Sequence, residues 1–172
     1  MPVSHTERIA ELSTNFSDSM TRFLARVERT APESLMKKPD DGGWSAAEIS
    51  WHVGAINNAF AGLIDGSVPN ARPAPEGFVE TPWTEIAMRV PVKLEAPQRF
   101  HPPEDLTAEH ALNLLRQSKD TMLKALAGLT EERALGFTVK SSVGTPVNLY
   151  QVGTWAAAHI ARHNAQVKKL IG

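Results

Sequence analysis

Four stretches of the chain repeat apolar residues at the three-to-four spacing of an amphipathic helix. The first runs from about Thr6 to Arg29 and aligns Ile9, Leu12, Phe16, Met20, Phe23 and Val27. The second, from about Ala46 to Ile64, aligns Ile49, Val53, Ile56, Phe60 and Leu63, with His52 inside the stripe. The third, from about Ala108 to Leu126, carries Leu112, Leu115, Met122 and Leu126. The fourth, from about Leu149 to Ile171, carries Val152, Ala156, His159, His163 and Leu170. Each stripe needs another apolar surface to cover it, so the pattern predicts an all-α four-helix bundle.

The ends of these segments carry their own signals. Ser45 and Glu48 have the spacing of a capping box, and Trp44 and Ile49 that of the hydrophobic staple around it. Thr107 suits the N-cap of the third helix. The fourth starts either on Asn148 paired with Gln151, or on Thr145 with Pro146 in the first turn. Residues 65–105 hold eight of the twelve prolines. Long regular structure is excluded there, apart from a short helix over Pro82 to Met88. A connection of this length suits a crossover that returns along the bundle. The crossover makes the second and third helices parallel. The shorter link from Ala127 to Val147 makes the third and fourth antiparallel. The expected order is therefore up-down-down-up.

This topology gives the histidines their meaning. His159 and His163 are four apart and share one helix face. His52 lies seven residues after Ser45, about 10 Å along its helix. His163 lies eight residues before Ile171, about 12 Å from the end of its own. With the second and fourth helices antiparallel, the three are level. A polar ring on an apolar stripe needs a partner. Three imidazoles from two helices match a three-histidine metal centre with an open position. His5, His101 and His110 are expected to face solvent. Asn57, Asn58 and Asn164 are candidates to bond the imidazole N–H groups. Glu48, one turn before His52, is the nearest candidate acid/base in sequence, in competition with its capping role. Arg162 is either a hold for an acidic substrate or an exposed arginine on a polar face.

Composition narrows the chemistry. The chain has no cysteine, which excludes disulfides, thiolate ligands and a cysteine nucleophile. A metal site must then be built from histidine, carboxylate and water. A formal net charge of −1 supplies no general basic surface for nucleic acid. The length suits one domain over residues 1–172. No apolar run reaches membrane-spanning length and no signal peptide is evident, so a cytoplasmic location is the expectation.

"GGWSAAEISWHVGAINNAF", the Pro-rich crossover and "GTPVNLYQVGTWAAAHIARHNAQVKKL" together resemble the DinB-like (DinB/YfiT-like) superfamily of metal-binding four-helix bundles. The specific parts are Trp44-Ser45 with Glu48 and His52, and His159-x-x-Arg162-His163-x-x-Gln166. The resemblance places a metal triad on His52, His159 and His163, the residues that stripe and register select. It implies a homodimer and a divalent ion, zinc or nickel foremost. It also implies a small-molecule substrate, with low-molecular-weight thiols among the choices, and neither nucleic acid nor membrane as partner. Characterised relatives include thiol-dependent S-transferases and isomerases, and others are described as metal-dependent hydrolases. Fold and site transfer across such a likeness better than reaction does. The expectations are a metal-dependent hydrolase or S-transferase, or else a non-catalytic metal-containing binding or stress-response module. A histidine-lined pocket without metal is the third. A structural zinc is normally closed by four protein ligands, and three are in view, which favours an open site.

Overall fold

Three of the four long helices begin with the same device. Ser4, Ser45 and Asn148 each accept a bond from the backbone N–H three residues on, and Glu7, Glu48 and Gln151 reach back to the cap's own N–H. A computed structural model describes all 172 residues. It runs α1 (His5–Glu28), α2 (Pro32–Met36), α3 (Ala46–Asp65), β1 (Arg72–Pro73), α4 (Trp83–Met88), a 3₁₀ turn (Gln98–Phe100), α5 (Ala108–Gly128), α6 (Glu131–Gly136), β2 (Phe137–Lys140), β3 (Pro146–Asn148) and α7 (Leu149–Ile171). The chain is mostly helical. Thr107 caps α5 as expected, and α4 is the short helix anticipated within the crossover. Asn148, rather than Thr145, starts α7; Pro146 lies in a strand instead of a first helical turn.

The all-α expectation needs one correction. The link after α5 folds into α6 and the β2–β3 hairpin, and β1 from the crossover pairs with β2 to complete a three-stranded antiparallel sheet. Gly144, at φ 81°, takes the left-handed conformation that the hairpin turn requires. Strands of two to four residues are too short to show an alternating period, so hydrophobic patterning cannot reveal them.

The long helices meet in a defined order. Along α1 and α7 the contacts advance together, from His5 on Tyr150 to Arg26 on Asn164. They also advance together along α3 and α5, where Gly54 abuts Leu114 and Leu115, and Asn57 bonds Ser118. Between α1 and α5 they run in opposition: Thr21 meets Lys119 and Glu28 meets Arg116. Between α3 and α7 they also oppose, with His52 on His159 and Phe60 on Trp155. The buried core comes from all four stripes, with Phe16, Met20, Phe23, Ile49, Val53, Leu115, Met122, Val152 and Ile160 fully covered.

The crossover is fastened although it has little regular structure. Glu80 takes Arg8 through both carboxylate oxygens, at 3.0 and 3.2 Å, and accepts from Asn148 Nδ2 at 2.7 Å. Gln151 Nε2 donates to Thr81 O at 2.6 Å. Ile86 of α4 is fully buried. These bonds lay the crossover against the α7 start and carry it toward the end of the molecule that holds the histidines. No helix is long and apolar enough to cross a membrane.

Candidate metal centre

The α3 capping box fixes where that helix begins and therefore which way residue 52 faces. His52 falls on the buried side and is 3% exposed. His159 and His163, one turn apart on α7, face it from the opposing helix. His159 Nε2 lies 3.2 Å from His52 Nε2 and 3.1 Å from His163 Nε2. The three ring centroids lie 4.4 to 5.1 Å apart, His163 edge-on to both of the others and His52 tilted against His159. The register argued from sequence thus brings these three side chains together.

The outer nitrogens show what the inner ones can do. His52 Nδ1 lies 2.9 Å from the carbonyl oxygen of Phe100. A carbonyl only accepts, so Nδ1 carries the hydrogen, and Nε2 of the neutral ring is a bare lone pair. His163 Nδ1 likewise donates to Gln166 Oε1 at 2.9 Å. His159 Nδ1 is buried without any partner. Burial pushes all three imidazoles below their ordinary range. His159 falls well below it, lowered further by His163, His52 and Arg162. Burial and the His52 charge bring His163 down to about 4, against a raising bond from Gln166. For His52, burial outweighs the raising bond to Phe100. The rings are therefore neutral donors near pH 7.

Bare lone pairs at 3.1–3.2 Å repel one another unless a proton or a cation lies between them. A tetrahedral ion with metal–nitrogen bonds of about 2.0–2.1 Å separates its ligand nitrogens by about 3.3 Å. The cluster is close to that spacing before any adjustment, and its three ligand atoms lie within 4.8 Å of one another. Donor chemistry, protonation and spacing all fit a divalent cation.

Several expectations about the surroundings change. Asn57 bonds Ser118 and Met20, and Asn164 accepts from Arg26, so neither serves an imidazole. Asn58 Oδ1 is buried without a partner. The actual supports are Phe100 and Gln166. Gln166 was legible as an i,i+3 neighbour of His163, whereas a backbone carbonyl leaves no side-chain signal. His110 is exposed as expected, but His5 and His101 are half-buried. His5 Nδ1 is 2.6 Å from the Tyr150 hydroxyl, and His101 Nε2 donates to Ala96 O at 2.8 Å. Glu48 completes its capping box at 2.7 Å and pairs with Lys38 at 3.0 Å. With Trp44, His101 and Glu104 it lines a polar cleft of about 410 Å³. Trp44 joins this cleft to the centre, its ring 5.1 Å from His52 and 5.4 Å from His101.

The neutral, buried rings carry a cost in acid. Free imidazoles titrate near 6.5, whereas His163 in the fold titrates at about 4. Between those values the unfolded chain binds more protons, so stability rises with pH. The stability that His163 contributes is complete above about 6.5 and is lost as pH falls toward 4, a change of about 3 kcal/mol. Denaturant midpoints of metal-free protein should therefore fall across that window, and His163→Gln should flatten the fall. Equal slopes in the two proteins would contradict this assignment.

Fold and site together define a class: a mostly helical protein whose opposed helices present three histidines suited to a divalent metal. The family model of the DinB superfamily matches residues 15–167. The chain belongs to the DinB superfamily. No curated protein matches it.

Proposed function

We propose that this protein is a metal-dependent enzyme acting on a small molecule. Its frame is an up-down-down-up four-helix bundle spanning the chain, supported by the parallel contacts of α1 with α7 and of α3 with α5. His52, His159 and His163 are the ligands; imidazoles suit zinc, nickel, iron and copper alike, and the family resemblance puts zinc or nickel first. The observation that carries the reading is the convergence of three Nε2 atoms, those of His52 and His163 with free lone pairs, and no fourth protein ligand in the cluster. An ion held there would supply Lewis acidity for activating a nucleophile, either water in hydrolysis or a low-molecular-weight thiol in S-transfer. Since the chain has no cysteine, such a thiol comes from a cosubstrate.

The protein's own residues do the rest. Phe100 O and Gln166 hold two imidazoles in the tautomer that leaves Nε2 free. Glu48, in the cleft beside Trp44, is the carboxylate available for proton transfer, provided it can leave its cap and Lys38. Two copies of the chain associate as a homodimer, which light scattering on the purified protein would check.

The reading is tested by assaying tag-free, metal-loaded protein with several biological thiols and a model electrophile, and separately with esters. Turnover that disappears in His52→Ala supports it. Absence of turnover with every thiol and ester would leave a metal-containing binding module in its place. A finer expectation concerns Gln166→Ala, which removes the acceptor from His163 Nδ1–H without touching a ligand. Metal affinity should fall about 10- to 100-fold by competition with a chelating indicator. An unchanged affinity would mean that this hydrogen bond does not orient the ring.

A further inference from the structure

The polar cleft beside the metal centre holds about 410 Å³, a size that suits a small molecule. One 3₁₀ turn serves both places. Phe100, at its end, gives His52 a carbonyl acceptor at 2.9 Å, while Gln98 and the next residue, His101, line the cleft. Trp44 bridges them, its ring 5.1 Å from that of His52 and 5.4 Å from that of His101. An occupant of the cleft is therefore a neighbour of the centre. The lining has a surplus of acceptors. His101 Nε2 donates to Ala96 O at 2.8 Å, which leaves Nδ1 of the neutral imidazole as a lone pair without a partner, and that atom is not sealed inside the protein. Pro102 and Pro103 have no N–H to offer, only carbonyls. Glu104 forms no ion pair.

Lys38 is the one cation in the lining, and Glu48 takes it at 3.0 Å. The exposed Arg162 is tied to the crossover carbonyls of Pro91 and Val92 and does not line this cleft. The remaining side-chain donors of the lining, on Trp44 and Gln98, are neutral. One carboxylate, Glu104, is thus left without a counter-charge. A bare metal ion does not suit it: the three histidines are the only cluster of carboxylate and imidazole groups close enough to share one. An organic cation with several N–H groups can reach acceptors spread more widely, and an aromatic ring beside it adds to the attraction. From this juxtaposition we propose that the cleft is a binding site for the ammonium group of a small organic amine, held by Glu104 and His101 Nδ1 beside Trp44. Resting on the metal reading above, the inference also names a substrate class: the compound presented to the centre carries a primary amine. Amine binding itself stands on the cleft alone and needs no metal, so the two can fail separately.

The test follows the amide NMR spectrum of metal-free, full-length protein while benzylamine, benzyl alcohol and benzoate are added in separate titrations. Benzylamine should move the Trp44 indole and Gln98 side-chain signals together with the backbone amides of His101 and Glu104. Benzyl alcohol has a similar shape without the charge, and benzoate has the opposite charge; each should bind at least about fivefold more weakly. Glu104→Gln, a change at an exposed residue, should cut benzylamine affinity about fivefold and leave that of benzyl alcohol within about twofold. Zinc-loaded protein should bind benzylamine as the metal-free protein does, because the amine sits in the cleft and not on the ion. The proposal is overturned if those signals stay still, if the neutral or anionic analogue binds as tightly, or if Glu104→Gln changes nothing. A requirement for zinc would also overturn it, by putting the amine nitrogen on the metal. Protein that takes up no zinc would sink the metal reading and the substrate class with it, while the metal-free titration still decides amine binding.

Discussion

His159→Ala protein, purified without a histidine tag, is expected to retain less than about one-tenth of the metal carried by the unaltered protein. His159 is the middle member of the cluster, within 3.2 Å of both other ligand nitrogens. Its loss leaves His52 and His163 on opposite helices with nothing between them, and two imidazoles without a carboxylate hold a divalent ion weakly. Elemental analysis of dialysed protein gives the comparison directly. Circular dichroism should show the same helical content for both proteins, because the hydrophobic core does not depend on this ring. Stoichiometric metal in the folded variant would refute the site. The histidine change is also informative about stability. The buried His159 Nδ1 has no partner, so its removal relieves an unsatisfied polar atom worth about 1–3 kcal/mol, which offsets part of the lost packing. Metal-free His159→Ala should therefore be destabilised less than a leucine-to-alanine change in the core, for which about 2–5 kcal/mol is usual.

Gly54→Leu is expected to lower stability by about 3 kcal/mol or more and to weaken metal binding with it. A side chain at this position would begin 3.0 Å from Leu114 Cγ, and 3.2 Å from both the carbonyl carbon of Leu114 and the backbone nitrogen of Leu115. Two of those three contacts are backbone atoms of α5, which cannot turn aside as a flexible side chain would. The helices must separate, and His52 sits two residues away on the displaced segment of α3. Denaturant unfolding and metal titration on the same preparation test both parts. Gly62→Leu is a useful contrast. There an added Cβ would run into Val68 Cγ2, at the far end of α3 from His52, so a stability loss with intact metal affinity is expected. Equal effects on metal affinity at the two glycines would argue against local transmission from the α3–α5 contact.

Much of the helical content was legible because each long helix carries both a stripe and an end signal. Ser45 with Glu48 places α3 to within a residue, whereas α7 had two competing starts, at Thr145 and at Asn148, of which Asn148 is the one formed. The histidine cluster was legible for a related reason: once the helix starts are known, a rise of about 1.5 Å per residue sets the level of every side chain. The supports of the cluster were less accessible. The Phe100 bond to His52 depends on a carbonyl whose direction is set by the 3₁₀ turn, and no residue type encodes it. Helix α2 is too short to show a period, although Pro32 at its first position and Glu33 in its first turn mark a start. His5 looked like an exposed residue near the chain's beginning, and only the meeting of α1 with the α7 start brings it to Tyr150. What escaped was what depends on how separate parts of the chain are placed against one another, as for His5 on Tyr150 and the Phe100 carbonyl on His52.

The long connection between α3 and α5 also has a consequence for how the molecule assembles. His52 and His159 are 107 positions apart, so their meeting is among the most non-local events in the chain. Closing so large a loop is entropically costly and comes after the local helices have formed. A metal ion at this site should therefore not seed the fold as it does in a zinc finger, whose ligands are close in sequence. An ion held by these histidines should meet a frame that is already paired, and its binding energy should slow unfolding more than it speeds folding.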